Sequence, residues 1–445
     1  MLLQKERTHL SFFPSLAFFL SLSPTNTETP KQFKPLHKIS YLNMTNSVMA
    51  NTRKRKSQAF PLDDLNQDLL EKVLSRLPAS SFFRLRAVCR RWNSTAASAT
   101  FRLACSEVPS RDPWFLMSGQ DPDRPTTVYD SGERIWRVLD RPTFFRQDGL
   151  SKPPAIPVAS SGGLVCFRTP PGQLIVCNPV TGACREIPRP DGYGSIEPLH
   201  AIAMSSSGDA YRIVLVFGEL PELKFRVFDS SKNRWEDEAA LRRAIGSASP
   251  ESDTVYFLSK AGDVVASDMM QRSPTKQYSS VLTAGGGGQE VVHFLGRSGT
   301  VLACDLSLGT FDERPGPLPA FFEHSIDVVE CGGEVLAFVL SEMLETASLR
   351  VWRFSEGARS WQHVAAMPPS MSHEFYGRKA DINCVGCGGG GSILICVNSP
   401  ESSSRYVMCN LLEEEWVELP KCVVNGRTEE FVSAFSFEPR VEASA

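Results

Sequence analysis

The sequence predicts an α+β multidomain chain: a small three-helix module followed by an all-β propeller of about seven blades, with six as the alternative count. Three observations predict it. Helical apolar spacing is confined to residues 63–103, short alternating strands take over from Trp114 onward, and one strand-turn-Trp plan recurs along those strands. At 445 residues the chain is too long for one ordinary compact domain. The expected boundaries are a disordered tail at 1–57, the helical module at 58–104, the propeller at 105–440 and a C-terminal tail at 441–445.

The first segment is rich in Ser, Thr, Asn and Lys, a composition that cannot bury enough surface to fold. Lys5 and Arg7 precede an apolar stretch from Leu10 to Leu22 that imitates a secretory leader. Pro14 interrupts that stretch, no small-residue cleavage motif follows, and it is too short to span a bilayer as a helix. The expectation is therefore a disordered leader, with Met44 or Met49 as alternative starts. Arg53 to Lys56 form a basic tetrad that reads either as a nuclear import signal or as a solvated charge run.

Leu65, Leu69, Leu70, Val73, Leu74 and Leu77 lie along one helical face, with Asp64 and Gln67 spaced as a capping box. Pro78 ends this helix, because it pushes the preceding residue toward extended backbone. Ser80 or Ser81 then caps a second helix carrying Phe82, Phe83, Leu85, Val88, Cys89 and Trp92, and a third runs from about Ser94 to Leu103.

The β region repeats. Residues 255–262 and 292–299 match at Phe257 and Phe294, Leu258 and Leu295, and Gly262 and Gly299. More loosely, an apolar strand ends in Asp or Asn, and after a polar turn comes Trp or another large residue, often followed by Pro. This is seen from Asp130 to Trp136, Asn178 to Pro188, Asp229 to Trp235, Phe354 to Pro368 and Asn410 to Pro420. With the two hairpins that makes about seven units, near the ~50-residue period of propeller repeats. A unit of this kind cannot cover its own sheet faces, so the units pack around a ring. The first owns only three strands, and the run Phe431 to Phe437 is expected to supply the fourth.

Leu69 to Pro78, followed by Phe82 to Trp92 with its Val-Cys-Arg-Arg-Trp run, resembles an F-box over about 45 residues. The departure is Leu65-Asn66, where that family commonly has Leu-Pro. The β region resembles the kelch-type propellers of plant F-box proteins, most of all at Ser160 to Val165 and Cys177 to Gly182. The resemblance implies a substrate-recognition subunit of a ubiquitin ligase in the nucleus and/or cytoplasm. Its helical module would bind a Skp-family adaptor, and through it a cullin scaffold, by Leu69, Leu70, Val73, Leu74, Leu77, Pro78 and Val88. The propeller would hold a protein substrate. The alternative is a transcriptional co-regulator that binds a transcription factor.

Inter-blade loops on a rigid scaffold are where recognition is expected. They carry Phe144, Phe145, Tyr193, Phe321, Phe322, His324, His373, Phe375 and Tyr376, residue types that anchor protein interfaces or else plug gaps between blades. Trp136, Trp235, Trp361 and Trp416 read as blade packing. A net charge of -3 offers no field for nucleic acid or acidic membranes. The twelve cysteines sit largely in apolar runs, and the Cys384 and Cys387 pair lacks a second pair at zinc spacing, so no metal or cofactor is expected. The glycine runs at 285–288 and 388–391 lack the Gly-Lys-Ser/Thr of a phosphate loop, and neither a nucleophile elbow nor a zinc-protease motif occurs, so a propeller enzyme is the weakest reading.

Overall fold

Helix α1 spans Gln67–Ser75, α2 Ala79–Leu85, α3 Arg90–Thr95 and α4 Ala99–Ser106. The computed structural model describes residues 65–119, 126–139, 155–190, 197–244, 256–258, 264–266, 278–285, 289–296, 299–318, 324–343, 345–387 and 391–445. The expected leader and basic tetrad lie outside them.

Four short helices replace the expected three, because the second breaks. After α2 the backbone tightens, with Val88 N–H donating to Leu85 O, and Cys89 is fully extended before α3 begins. The caps differ as well, and Asp64 of the expected capping box lies outside the described residues. Asn66 and Pro78 precede α1 and α2 without a side-chain cap, and Gln67 donates instead to Glu71 Oε1 at 2.9 Å. Ser98 caps α4 by accepting from Phe101 N–H, as its short hydroxyl suits. Leu70, Leu74, Phe82, Phe101 and Cys105 form the buried core, and the rings of Phe82 and Phe101 stack at 5.0 Å.

Six four-stranded antiparallel blades follow among the described residues, the lower of the two expected counts. Their innermost strands are Ser433–Phe437, Ile156–Ser161, Leu199–Ser207, Ser280–Ala284, His324–Cys331 and Asp381–Gly386, and each lies beside the next around a closed ring. The hairpin Tyr256–Leu258 with Val264–Ala266, read from sequence as a unit of its own, pairs only with itself among the described residues. The third and fourth inner strands touch directly, which leaves no place for a seventh. Strand Ala239–Arg243 bridges those two blades, antiparallel to Glu222–Asp229 and parallel to Thr310–Arg314.

One turn recurs six times and explains the repeat. Asp130, Asn178, Asp229, Asp305, Ser355 and Asn410 each accept a backbone N–H two or three residues on. Four residues after each stands a residue with positive φ: Arg134, Gly182, Asn233, Gly309, Arg359 and Glu414. A side-chain acceptor followed by a left-handed residue reverses the chain between third and fourth strands. The widest step in the series, Asp229 to Asp305, holds the extra hairpin.

The Trp-and-Pro pattern is a latch between blades. Trp136 Nε1 donates to Pro420 O at 2.8 Å, Trp235 to Pro188 O at 2.6 Å and Trp361 to Pro315 O at 2.6 Å, in each case reaching the end of the preceding blade. Trp416 packs beside the core shared by the fifth and sixth blades. The expected closure is present: Ser433–Phe437 pairs with Trp114–Ser118 in the register Trp114 to Phe437, so the first blade has no open inner edge.

Candidate functional site

The helical module and the ring belong to one compact unit, and the blade topology decides which ends of the ring are available. The turns joining third to fourth strands, and the first-to-second turns of the blades whose first two strands follow each other in the chain, lie at one end. The fully described inter-blade connections, 367–380 and 419–432, lie at the other. Ser80 Oγ and Arg84 both reach Glu133, in a third-to-fourth turn of the first blade, and Arg137 braces the same carboxylate at 2.5 Å. These bonds draw the Glu133 carboxyl below its ordinary pKa, the Ser80 hydroxyl being the main cause. Arg111, between α4 and the first blade, donates to Ser75 O and Leu77 O, carbonyls freed at the end of α1. A cavity of about 640 Å³ lies between the α1–α2 junction and the inner strands of the ring.

Mounted there, the module keeps apolar side chains at its surface. Leu69 is 54% exposed, Val73 one turn later 55%, and Val88 in the α2–α3 turn 65%, with Pro78 exposed at the α1–α2 junction. Leu70 and Leu74, singled out with them from sequence, are buried in the module's own core, and Leu77 is half-buried against it. A single helical stripe was expected, whereas α1 carries two, one inward and one outward. Leu103 on α4 is exposed too. Its position two residues from both Phe101 and Cys105, which face the core, is the signal that could have found it. Burying one exposed Leu or Val is worth about 1.5–3 kcal/mol, so these residues hold several kcal/mol of apolar surface that the module leaves open to water.

Glu71 is buried behind this surface. Burial alone would raise its pKa, but hydrogen bonds from Thr100, Gln67 and Ser98 hold the carboxyl below its usual value. A carboxylate beside the first turn of α4 suits that helix end.

Of the loop residues singled out from sequence, Phe144, Phe145, Tyr193, Phe321 and Phe322 lie outside the described residues, and of His324 the backbone alone is described, opening the fifth inner strand. His373, Phe375 and Tyr376 sit in the connection from fifth to sixth blade, built from the short helix Pro369–Ser372 and the turn His373–Phe375. Phe375 is buried in the core shared by those blades, with the Arg405 guanidinium 5.6 Å over its ring. His373 and Tyr376 are exposed, their rings stacked at 6.1 Å and 5°. Arg405 fixes this segment by bonding both Glu374 and Glu418. The two readings of these loop residues thus divide, Phe375 plugging a gap and its two neighbours facing solvent.

The thiols of Cys166, Cys304, Cys387 and Cys409 are pushed up to about 12 by burial, so they remain protonated small hydrophobes. Cys387 Sγ donates to Ser392 O, and among the described residues no group of three or more His, Cys, Asp or Glu is placed to hold a metal. Cys177 and Cys184, partners across the third-to-fourth turn of the second blade, are joined as a disulfide, which the sequence reading did not anticipate.

Comparison with known proteins places these surfaces in context. The family model for the F-box domain matches residues 62–103. F-box only protein 13 of Arabidopsis thaliana is 47% identical over 402 residues, covering 86% of each chain. An F-box/kelch-repeat protein of the same plant is 35% identical over 34% of this chain and 36% of its own. Among solved structures, the β-propeller domain of the trilobed protease from Pyrococcus furiosus is similar with a TM-score of 0.35 and 10% identity, over 71% of this chain and 92% of that one.

Proposed function

Because the chain belongs to the F-box proteins, we propose that it is the substrate-recognition subunit of a Skp-cullin-F-box ubiquitin ligase. The helical module binds a Skp-family adaptor through Leu69, Val73, Pro78 and Val88. The propeller offers its far face, including His373 and Tyr376, to a protein substrate. One observation carries the reading: the exposed apolar residues stand on the module, and the module stands on the ring end away from the inter-blade loops. Adaptor and substrate then occupy opposite ends without competing. Ten of the twelve cysteines keep free thiols, which supports work in the nucleus or cytoplasm, although the joined pair Cys177 and Cys184 does not add to that reading.

The test is adaptor affinity, by calorimetry, of the chain carrying Leu69→Ser and Val73→Ser together. Truncating two central apolar anchors is expected to cost about 2–4 kcal/mol of binding. Urea unfolding of the free chain is expected to shift by less than about 0.5 kcal/mol. Absence of adaptor binding by the unaltered chain would sink the proposal.

A further inference from the structure

Residues 438–445, which take in the tail expected from sequence at 441–445 and the last residues assigned there to the propeller, run between the helical module and the second blade. Glu438 N–H donates to Gly162 O at 2.6 Å. Arg440 donates to Val108 O and Pro109 O, each at 3.1 Å, in the segment leaving α4, and Glu438 and Glu442 hold its guanidinium from either side. Val441 packs on the module's core, and Ala443 packs on the core shared by the second and third blades.

The second blade is shaped to receive this segment. Asn178, fully buried, donates from Nδ2 to Arg440 O at 2.8 Å and to Ala443 O at 2.9 Å. Gly163 makes room: a Cβ there would stand 2.8 Å from the Cβ atoms of both Ala443 and Arg440. The same Gly-Gly turn in the fifth blade supplies the control, since a Cβ at Gly332 or Gly333 would meet nothing within 4 Å. The positive φ in the second blade's turn belongs to Gly162. Glycine at 163 is therefore required by the crossing segment and not by the turn.

We propose that residues 438–445 are a strap that fixes the angle between helical module and propeller, with Arg440 as its positioning residue. Resting on the ligase reading above, the strap sets the path from adaptor to substrate. Without it the module would be held by Arg111, the Glu133 cluster and the packing of Ala79 and Phe83 on the first blade.

The test uses the full chain with two labels on non-cysteine unnatural residues, at Arg102 on α4 and at Ser403 in the sixth blade, both exposed. Gly163→Ala drives a methyl into the strap while leaving ring and module intact, and Arg440→Ala removes the bonds to Val108 and Pro109. The parent should give one narrow label-to-label distance. Both variants should give a distribution at least about twofold wider, the ordinary behaviour of loosely docked modules, and Arg440→Lys should recover part of the narrowing. Adaptor affinity should stay within about twofold in all three, because the strap does not touch Leu69 or Val73. If Arg440→Ala does not fold, Gly163→Ala decides alone. An unchanged width overturns the strap even where adaptor binds. Failure of the parent to bind adaptor would count against the ligase reading and leave the distance result standing.

Discussion

The helical module and the ring treat apolar surface in opposite ways. The ring closes on itself, and side chains stitch neighbouring inner strands: Ser280 Oγ to Ile202 O, Ile382 N–H to Ser325 Oγ, Cys384 N–H to Asp327 Oδ2, and Ala434 N–H to Asn383 Oδ1. The module has helices of six to nine residues, five buried core residues and bare leucine and valine outside. A ring that satisfies its own edges needs no partner to be stable. A core this small leaves surface that a partner completes.

The largest effect that could break this contrast comes from pairing one substitution in each region. Phe338 is fully buried in the core shared by the fifth and sixth blades, and Phe338→Ala should cost about 3–5 kcal/mol of unfolding free energy in urea. Leu69→Ala should change it by less than about 0.5 kcal/mol. A loss of several kcal/mol at Leu69 would make it a core residue and dissolve the distinction.

Acid sharpens the comparison by finding the ring's weak blade. His293 in the fourth blade is buried, its Nε2 against Thr283 Oγ1 at 3.1 Å. Burial first, and the positive charge of Arg314 second, lower its pKa from 6.5 to about 3. The folded state holds it neutral, so its contribution is complete above about pH 6.5 and is lost progressively as pH falls from there toward 3. At pH 5.5 the loss should be about 1.4 kcal/mol relative to pH 7.5. Unfolding curves at the two values, repeated with His293→Gln, check this; an equal acid loss in the variant would assign the effect elsewhere.

How much of this was legible follows from range of interaction. The module's helices, the strand-turn plan and the return of the last strand rest on local spacing or on an unpaired edge, and all were readable. The second helix was read too long, because the break at Cys89 is a backbone turn with no Gly or Pro to announce it. The blade count read from sequence fell between six and about seven, since Val255 to Gly262 imitates a blade's hairpin in sequence and only the neighbouring inner strands reveal that the ring has no room for it. Leu69 and Leu70 are adjacent in sequence and were read as one stripe. Which of them faces outward depends on where α4 packs, a contact that spacing within α1 does not encode.

The smallest effect tests whether the ring's closure is shared among its latches. Trp361→Phe keeps an aromatic ring against Phe354 but removes the N–H that Pro315 O accepts. The bond lies at the surface, where water can replace part of it, so the expected loss is about 0.5–1 kcal/mol. Trp235→Phe should cost a similar amount through Pro188 O. The two latches lie in different blades and share no partner, so in a ring whose blades act independently the double variant should lose the sum, within about 0.5 kcal/mol. A larger loss would mean that opening one blade boundary weakens the next. The ring, like the module, would then depend on something beyond its own local contacts.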